Sequence, residues 1–459
     1  MLTLLETSGI SIETSEGLQK IYFVTSLLLG DNLGVNSLGG FVESFTANFF
    51  CRFCKSKRIE TFTQTEENCS LLRDEISHAE DVLLNDCSLT GVKSNCVLDA
   101  LPSFSITSNY CVDSFHDLME GCCHYTMLHI LKHCVPKYFT IDLLNNRISL
   151  YKFGPCESNR VPPLRIDFDK KEKLKMSGSE TFLFVKHFGL LIGDRVLTDD
   201  PYWHLYVKMR ELLDIVVSKC LSKSSRELLR IIVRDFCMLY LSVTGDTLKP
   251  KMHFLLHYST VFAECGTFEL MSTKKFERKH RALLVPAHGT MSRTCITKTI
   301  AIKHQLDFSF RLMARQSILP SITKGPSMTI CISELDCYNA IVSSLPKSII
   351  MQSSSCLSLN WVLYKGTKYK PGMVLLLDVK ECGPLFGVIE FILSADTDDL
   401  TFVFSYMVTF GFDEHIVAYE VDHTNVYSSV SPDNLYDPLP LSIHHSVSDD
   451  KYVILRYSL

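Results

Sequence analysis

The sequence predicts a mixed α/β chain in three zones: a short strand region, a long helical middle and a small all-β, barrel-like end. Three observations carry this expectation. A β-branched and aromatic run at 22–29 stops at Gly30-Asp31 and is followed by Gly34, Gly39 and Gly40, the pattern of a buried strand running into turns. From about residue 112 to 316 apolar residues recur every three or four positions, most clearly at 182–192, 202–221, 226–241 and 251–262. That period places them on one face of a helix. In the last hundred residues short apolar runs at 361–364, 373–377, 386–392, 401–408, 416–421 and 452–457 alternate with turn residues, as in a small barrel or sandwich.

At 459 residues the chain exceeds one ordinary core, so several domains are expected. With 46% hydrophobic and 21% charged residues it has globular rather than disordered composition. The first ten residues hold Glu6 and no basic residue, which speaks against a secretory signal. No run of about 18 uninterrupted apolar residues argues for a membrane span. The 18 cysteines therefore read as reduced thiols or metal ligands rather than a disulfide framework, and a chain that is not secreted is expected. The net charge of −5 conceals a segregation. Residues 272–315 hold ten Lys/Arg, Arg293 and Arg315 among them, against Glu277 and Asp307, a charge of +8. Residues 316–459 carry −8. A local basic stretch in an acidic chain is a candidate phosphate-contacting face, with a solvated helix face as the plain alternative.

The chemistry lies in four places. Asp31 sits at the end of the first expected strand, where active sites of open α/β sheets lie. Cys51 and Cys54 form a CxxC, two thiolates able to share one tetrahedral metal. His253 and His257 stand four apart, so on a helix both imidazoles reach the same side. Glu277 is an acid inside the basic stretch. Plainer readings exist for each: a turn aspartate, unligated buried thiols, core histidines and a salt-bridged acid. A rival pair with the same spacing, His129 and His133, could equally partner the CxxC. The pairs Asp199/Asp200 and Asp398/Asp399 read as surface loops.

The order and spacing of these motifs, together with Asp113-Ser-Phe-His116, resemble a cut-and-paste DNA transposase of the CACTA-like (tnp2) group. The texts LLLGDNLG, GGFVESF, CRFCK, DSFHDLMEG, PKMHFLLHY and KKFERKH carry the resemblance, from Met1 to about Arg315. It implies a partial RNase H-like catalytic core at 1–55, a mainly helical insertion at 56–250 and a basic helical segment at 251–316. A linker at 317–358 and the small all-β domain at 359–459 follow. Asp31 and Glu277 would be DDE-type catalytic acids holding Mg2+ or Mn2+ for strand cleavage and transfer. Cys51, Cys54, His253 and His257 would hold a structural Zn2+, and Asp113 and His116 would lie near the DNA. Lys274, Lys275, Arg278, Lys279 and Arg281 would contact the phosphate backbone. A nuclear DNA-binding protein and room for a homo-oligomer follow from the same resemblance.

The family pattern also needs an earlier catalytic Asp, and residues 1–30 offer only Glu6, Glu13 and Glu16. The expectation is therefore an N-terminally truncated, catalytically incomplete transposon-derived protein with residual DNA binding. Two alternatives remain open: an active transposase whose reading begins too late, and a domesticated protein-interaction scaffold. The acidic β domain is expected to bind protein rather than DNA.

Overall fold

The computed structural model describes residues 1–166, 168, 174–219, 221–291, 294–314, 321–351, 356–395 and 399–457. Arg293, Arg315 and Asp398 lie outside the described residues, as does the side chain of Arg281. The mixed helix-and-strand class is as expected, with helices in the middle of the chain and a sheet region at the end. No helix among the described residues is long and apolar enough to cross a membrane.

The helical middle forms where its periodicity says it should. Ser177 and Glu180 close a capping box that starts the helix Gly178–Ile192, each satisfying a backbone donor that the first turn leaves open. Asp200 caps the helix Pro201–Val216, with Pro201 in the first turn, where a missing N–H costs nothing. The helix Ser225–Thr244 ends at Gly245, whose φ of +63° suits glycine. Phe184, Phe188, Trp203, Tyr206 and Phe236 from these helices pack into one core with the helix Cys123–Cys134. The run at 251–262 is two helices, Pro250–Leu255 and Tyr258–Cys265. At the break, Leu256 and His257 donate to His253 and Phe254, a tighter i−3 turn.

The first zone departs from expectation. Residues 22–29 form no strand beyond one parallel bridge between Leu28 and Tyr110. Tyr22, Phe23 and Val24 are exposed. A β-branched run states what its backbone tolerates, but a strand also needs a continuous neighbour to pair with, and the run meets only isolated backbone partners, Leu5 at Phe23 and Asn109 and Tyr110 at Leu28. The strands actually present are a solvent-facing hairpin, Ile10–Thr14 with Gly17–Ile21.

The C-terminal region holds a large open antiparallel sheet rather than a closed barrel, with a separate small sheet of Ile322–Lys324, Val362–Tyr364 and Thr367–Tyr369. The path of the large sheet runs Asp437–Leu441, Val374–Lys380, Gly383–Ser394, Leu400–Asp413, Ala418–Val430, Lys451–Val453, Ile443–His445. Pro438 and Pro440 in the first of these strands remove donors that closing the ladder would need. The stretch expected as a linker joins this sheet: Ser327–Ile330 pairs with Cys356–Leu359, which pairs with Gly383–Ser394. Ile332, Ile341 and Ile349 pack beneath it. The sheet docks on the helices through the turn at 413–418, where Trp203 Nε1 donates to the His415 carbonyl (3.0 Å).

Candidate metal centre and the adjoining acidic face

The CxxC turn is held by its neighbours before any ligand is considered. Lys55 N donates to Leu71 O (2.8 Å) and Arg73 N to Phe53 O (2.9 Å), so residues 51–55 run beside 71–73. Phe50, Phe53 and Phe254 pack edge-to-face around the turn. The helix Pro250–Leu255 and the tight turn after it then aim both imidazoles at the two thiols. Cys51, Cys54, His253 and His257 are all at most 1% exposed, and their donor atoms lie within 4.8 Å of one another. Cys51 Sγ is 3.5 Å from His257 Nε2, and Cys54 Sγ is 3.3 Å from His253 Nε2.

These four residues form a buried cluster that can hold a metal ion. Two thiols and two imidazoles are a soft donor set suited to tetrahedral zinc, for which S···N edges of about 3.5 Å follow from its bond lengths. Glu67 supports the cluster from outside: its Oε1 lies 2.6 Å from His257 Nδ1, and Thr260 donates to its Oε2 (2.5 Å). A carboxylate behind a ligating histidine fixes the ring and its tautomer. His253 Nδ1 is buried with no hydrogen-bond partner. Burial pushes the Cys51 thiol up. The hydrogen bond with Cys51 pulls Cys54 far down against burial, and His253 and His257 add to that. Burial lowers His257, but hydrogen bonds with Cys54 and Glu67 outweigh it and hold the ring up at about 8. A thiolate facing cationic imidazole is a proton arrangement that metal binding would replace.

His129 and His133 do not take this role. They lie beside acids instead, His129 Nε2 3.3 Å from Asp246 and His133 Nε2 2.8 Å from Asp200. Asp200 is buried, not a surface loop residue; its neighbour Asp199 is exposed.

A second constellation adjoins the first. Asp113 and His116 begin a π-helix, Phe115–Cys122, a form often found at functional sites because its wide turn displaces side chains and frees carbonyls. Lys251 takes two of those carbonyls, donating to His116 O (2.7 Å) and Glu120 O (3.5 Å). Gly121 makes this approach possible, since a Cβ there would lie 2.4 Å from Lys251 Cδ. His116 Nδ1 bonds Asp113, to which Thr273 also donates (2.7 Å). His116 Nε2 faces Glu277 (3.6 Å) and Glu120 (3.8 Å). The bond to Asp113 raises the His116 pKa against burial, and Glu120 and Glu277 raise it further. Glu277 therefore lies beside the DxxH motif.

Asp31 forms no hydrogen bond or ion pair with that group among the described residues. Its carboxylate accepts from Gly34 N (2.8 Å) and caps the helix Asn32–Leu38. Among the described residues, Asp31 and Glu277 do not belong to any group of three or more metal-ligating side chains. Lys274, Lys275, Arg278 and Lys279 are exposed along the helix Lys274–His288, which buries none of its described residues.

Sequence reasoning missed the buried network that joins the two constellations. Arg52, inside the CxxC, is fully buried and donates to Asn32 Oδ1 (2.7 Å). Asn32 Nδ2 donates to Asp117 Oδ1 (2.5 Å), and Tyr258 donates to Asp117 Oδ2 (3.1 Å). Burial pushes Asp117 up to about 6, with Arg52 pulling the other way. The available signal was position: each of these polar residues is a sequence neighbour of a motif residue. No family model matches the chain, and no curated protein matches it.

Proposed function

We propose that this chain is a DNA-binding protein of the CACTA-like transposase type, built on an RNase H-like core and pinned by a structural Zn2+. In this reading Cys51, Cys54, His253 and His257 hold the ion, and Lys274, Lys275, Arg278 and Lys279 contact the phosphate backbone. The observation that carries it is convergence. Cysteines and histidines about 200 residues apart meet in one buried cluster, and the next two motifs, His116 and Glu277, meet beside it. Unrelated motifs would have no reason to pair off in that order.

Binding rather than cutting is the activity proposed. A two-metal mechanism needs carboxylates converging on the same ions. Here Asp31 is committed to a helix cap, while Glu277 faces His116. The test is fluorescence anisotropy of a duplex oligonucleotide across a salt series. The expected result is affinity that falls linearly on a log–log salt plot, with the slope reduced by about one for each of Lys274, Lys275 and Arg278 changed to Gln. Affinity without salt dependence, or none at all, contradicts the reading. A scaffold role is the second reading, favoured by the helix Ile296–Met313, which buries none of its residues and exposes Leu306, Phe310 and Leu312.

A further inference from the structure

A cleft of about 370 Å³ opens where three parts of the chain meet. Phe182 and Lys186 of the helix Gly178–Ile192 form one wall, the helix Lys274–His288 a second, and Leu439, Arg456 and Tyr457 of the C-terminal region a third. Lys186, Lys219, Lys274, Lys275, Arg278 and Arg456 line it, against only Glu157 and Glu269. Such an excess of cations in a concave, partly apolar space concentrates positive potential.

Lys186 is the informative member. It is 3% exposed, and among the described residues no carboxylate forms an ion pair with it. The nearby Asp214 is already bound by Arg210 (3.0 Å). Its ammonium lies 5.6 Å from the Phe182 ring centre. Burial and the neighbouring Arg210 pull its pKa down to about 7. Asp214 and Glu157 offset that cost only through space, and a buried ammonium with no directly bonded acid is costly unless an anion completes its surroundings.

We propose that this cleft seats backbone phosphates of a nucleic-acid strand, making the C-terminal sheet region one wall of the DNA site. The proposal rests on the DNA-binding reading above and extends it to residues that reading does not use. A strand is favoured over a small anion because the cations continue past the cleft: Lys279 follows on the same helix outside it. The −8 net charge of residues 316–459 is no obstacle, because Arg456 is placed at the cleft with its Nη2 donating to Pro440 O (3.3 Å).

The experiment uses the full zinc-loaded chain, a duplex oligonucleotide and three proteins: wild type, Lys219→Gln/Arg456→Gln and Lys279→Gln. The proposal predicts that the double variant binds about tenfold more weakly, with the salt slope reduced by about two. Amine-reactive labelling read by mass spectrometry guards against a misfolded variant, since bound duplex should protect Lys219 and Lys274 in the wild type. Weaker binding by Lys279→Gln, with the double variant and the labelling unchanged, overturns the cleft and leaves the DNA-binding reading standing. Wild type that shows no salt-dependent binding overturns both. Protection of Lys219 by inorganic pyrophosphate but not by duplex makes the cleft a small-anion site and also overturns the proposal.

Discussion

Asp200 shows how much one side chain can organise. Its Oδ1 accepts from Tyr202 N and Trp203 N at the start of a helix, while its Oδ2 meets His133, Lys137 and Tyr138. Burial works against its charge, but those hydrogen bonds outweigh it and hold the carboxyl below its ordinary range. Stability from such a group is present above the unfolded pKa of about 3.9 and is lost as pH falls through the lower folded value. Asp200→Ala should therefore cost about 2 kcal/mol near neutral pH, from the cap and the charged hydrogen bonds. The gap from wild type should narrow progressively as pH falls below about 4, as urea denaturation at several pH values would measure; a gap independent of pH contradicts the assignment. The Asp-Pro pair is a helix-start signal that the surface-loop reading of Asp199/Asp200 passed over. The ring of partners was not legible, because it is assembled from residues about 60 positions away. The same limit left His129/His133 and His253/His257 equivalent in sequence: both have the spacing, and only the side chains facing them across space separate the pairs.

At the scale of elements, the junction between helices and sheet is set by one glycine. Gly189 lies in the helix Gly178–Ile192, and a Cβ there would sit 2.3 Å from the Ile416 carbonyl and 3.1 Å from its Cα. Backbone cannot yield as a flexible side chain would. Gly189→Val should cost more than about 2 kcal/mol and raise hydrogen exchange in Leu400–Asp413 and Ala418–Val430, the strands that enter and leave the turn. Unchanged exchange there would mean that the contact does not hold the two parts together. Helix positions were legible because their apolar period is local and their caps are short motifs. The strand expected at 22–29 and the closed barrel were not, because pairing depends on which distant backbone arrives and on donors that Pro438 and Pro440 withhold.

Over the whole molecule, the buried Cys51, Cys54, His253 and His257 cluster closes a loop from residue 51 to residue 257 and brings the CxxC turn against the helical region. The Arg52–Asn32–Asp117–Tyr258 network continues from that closure toward the DxxH motif. The ligand types were legible because CxxC and HxxxH spacings state a chemical requirement, whereas the choice between the two HxxxH pairs was not. The supporting carboxylate Glu67 was not, because any acid at any distance along the chain could fill that place. A site built this way contributes its binding free energy to folding, on the order of 10 kcal/mol for structural zinc. Native mass spectrometry of protein purified without chelator tests this most directly. The account predicts one zinc per wild-type chain and none in Cys54→Ser, with the melting temperature of the wild type falling to that of the variant after chelation. A wild-type chain that carries no zinc, or that melts identically with and without it, would contradict the claim that a metal pins this fold.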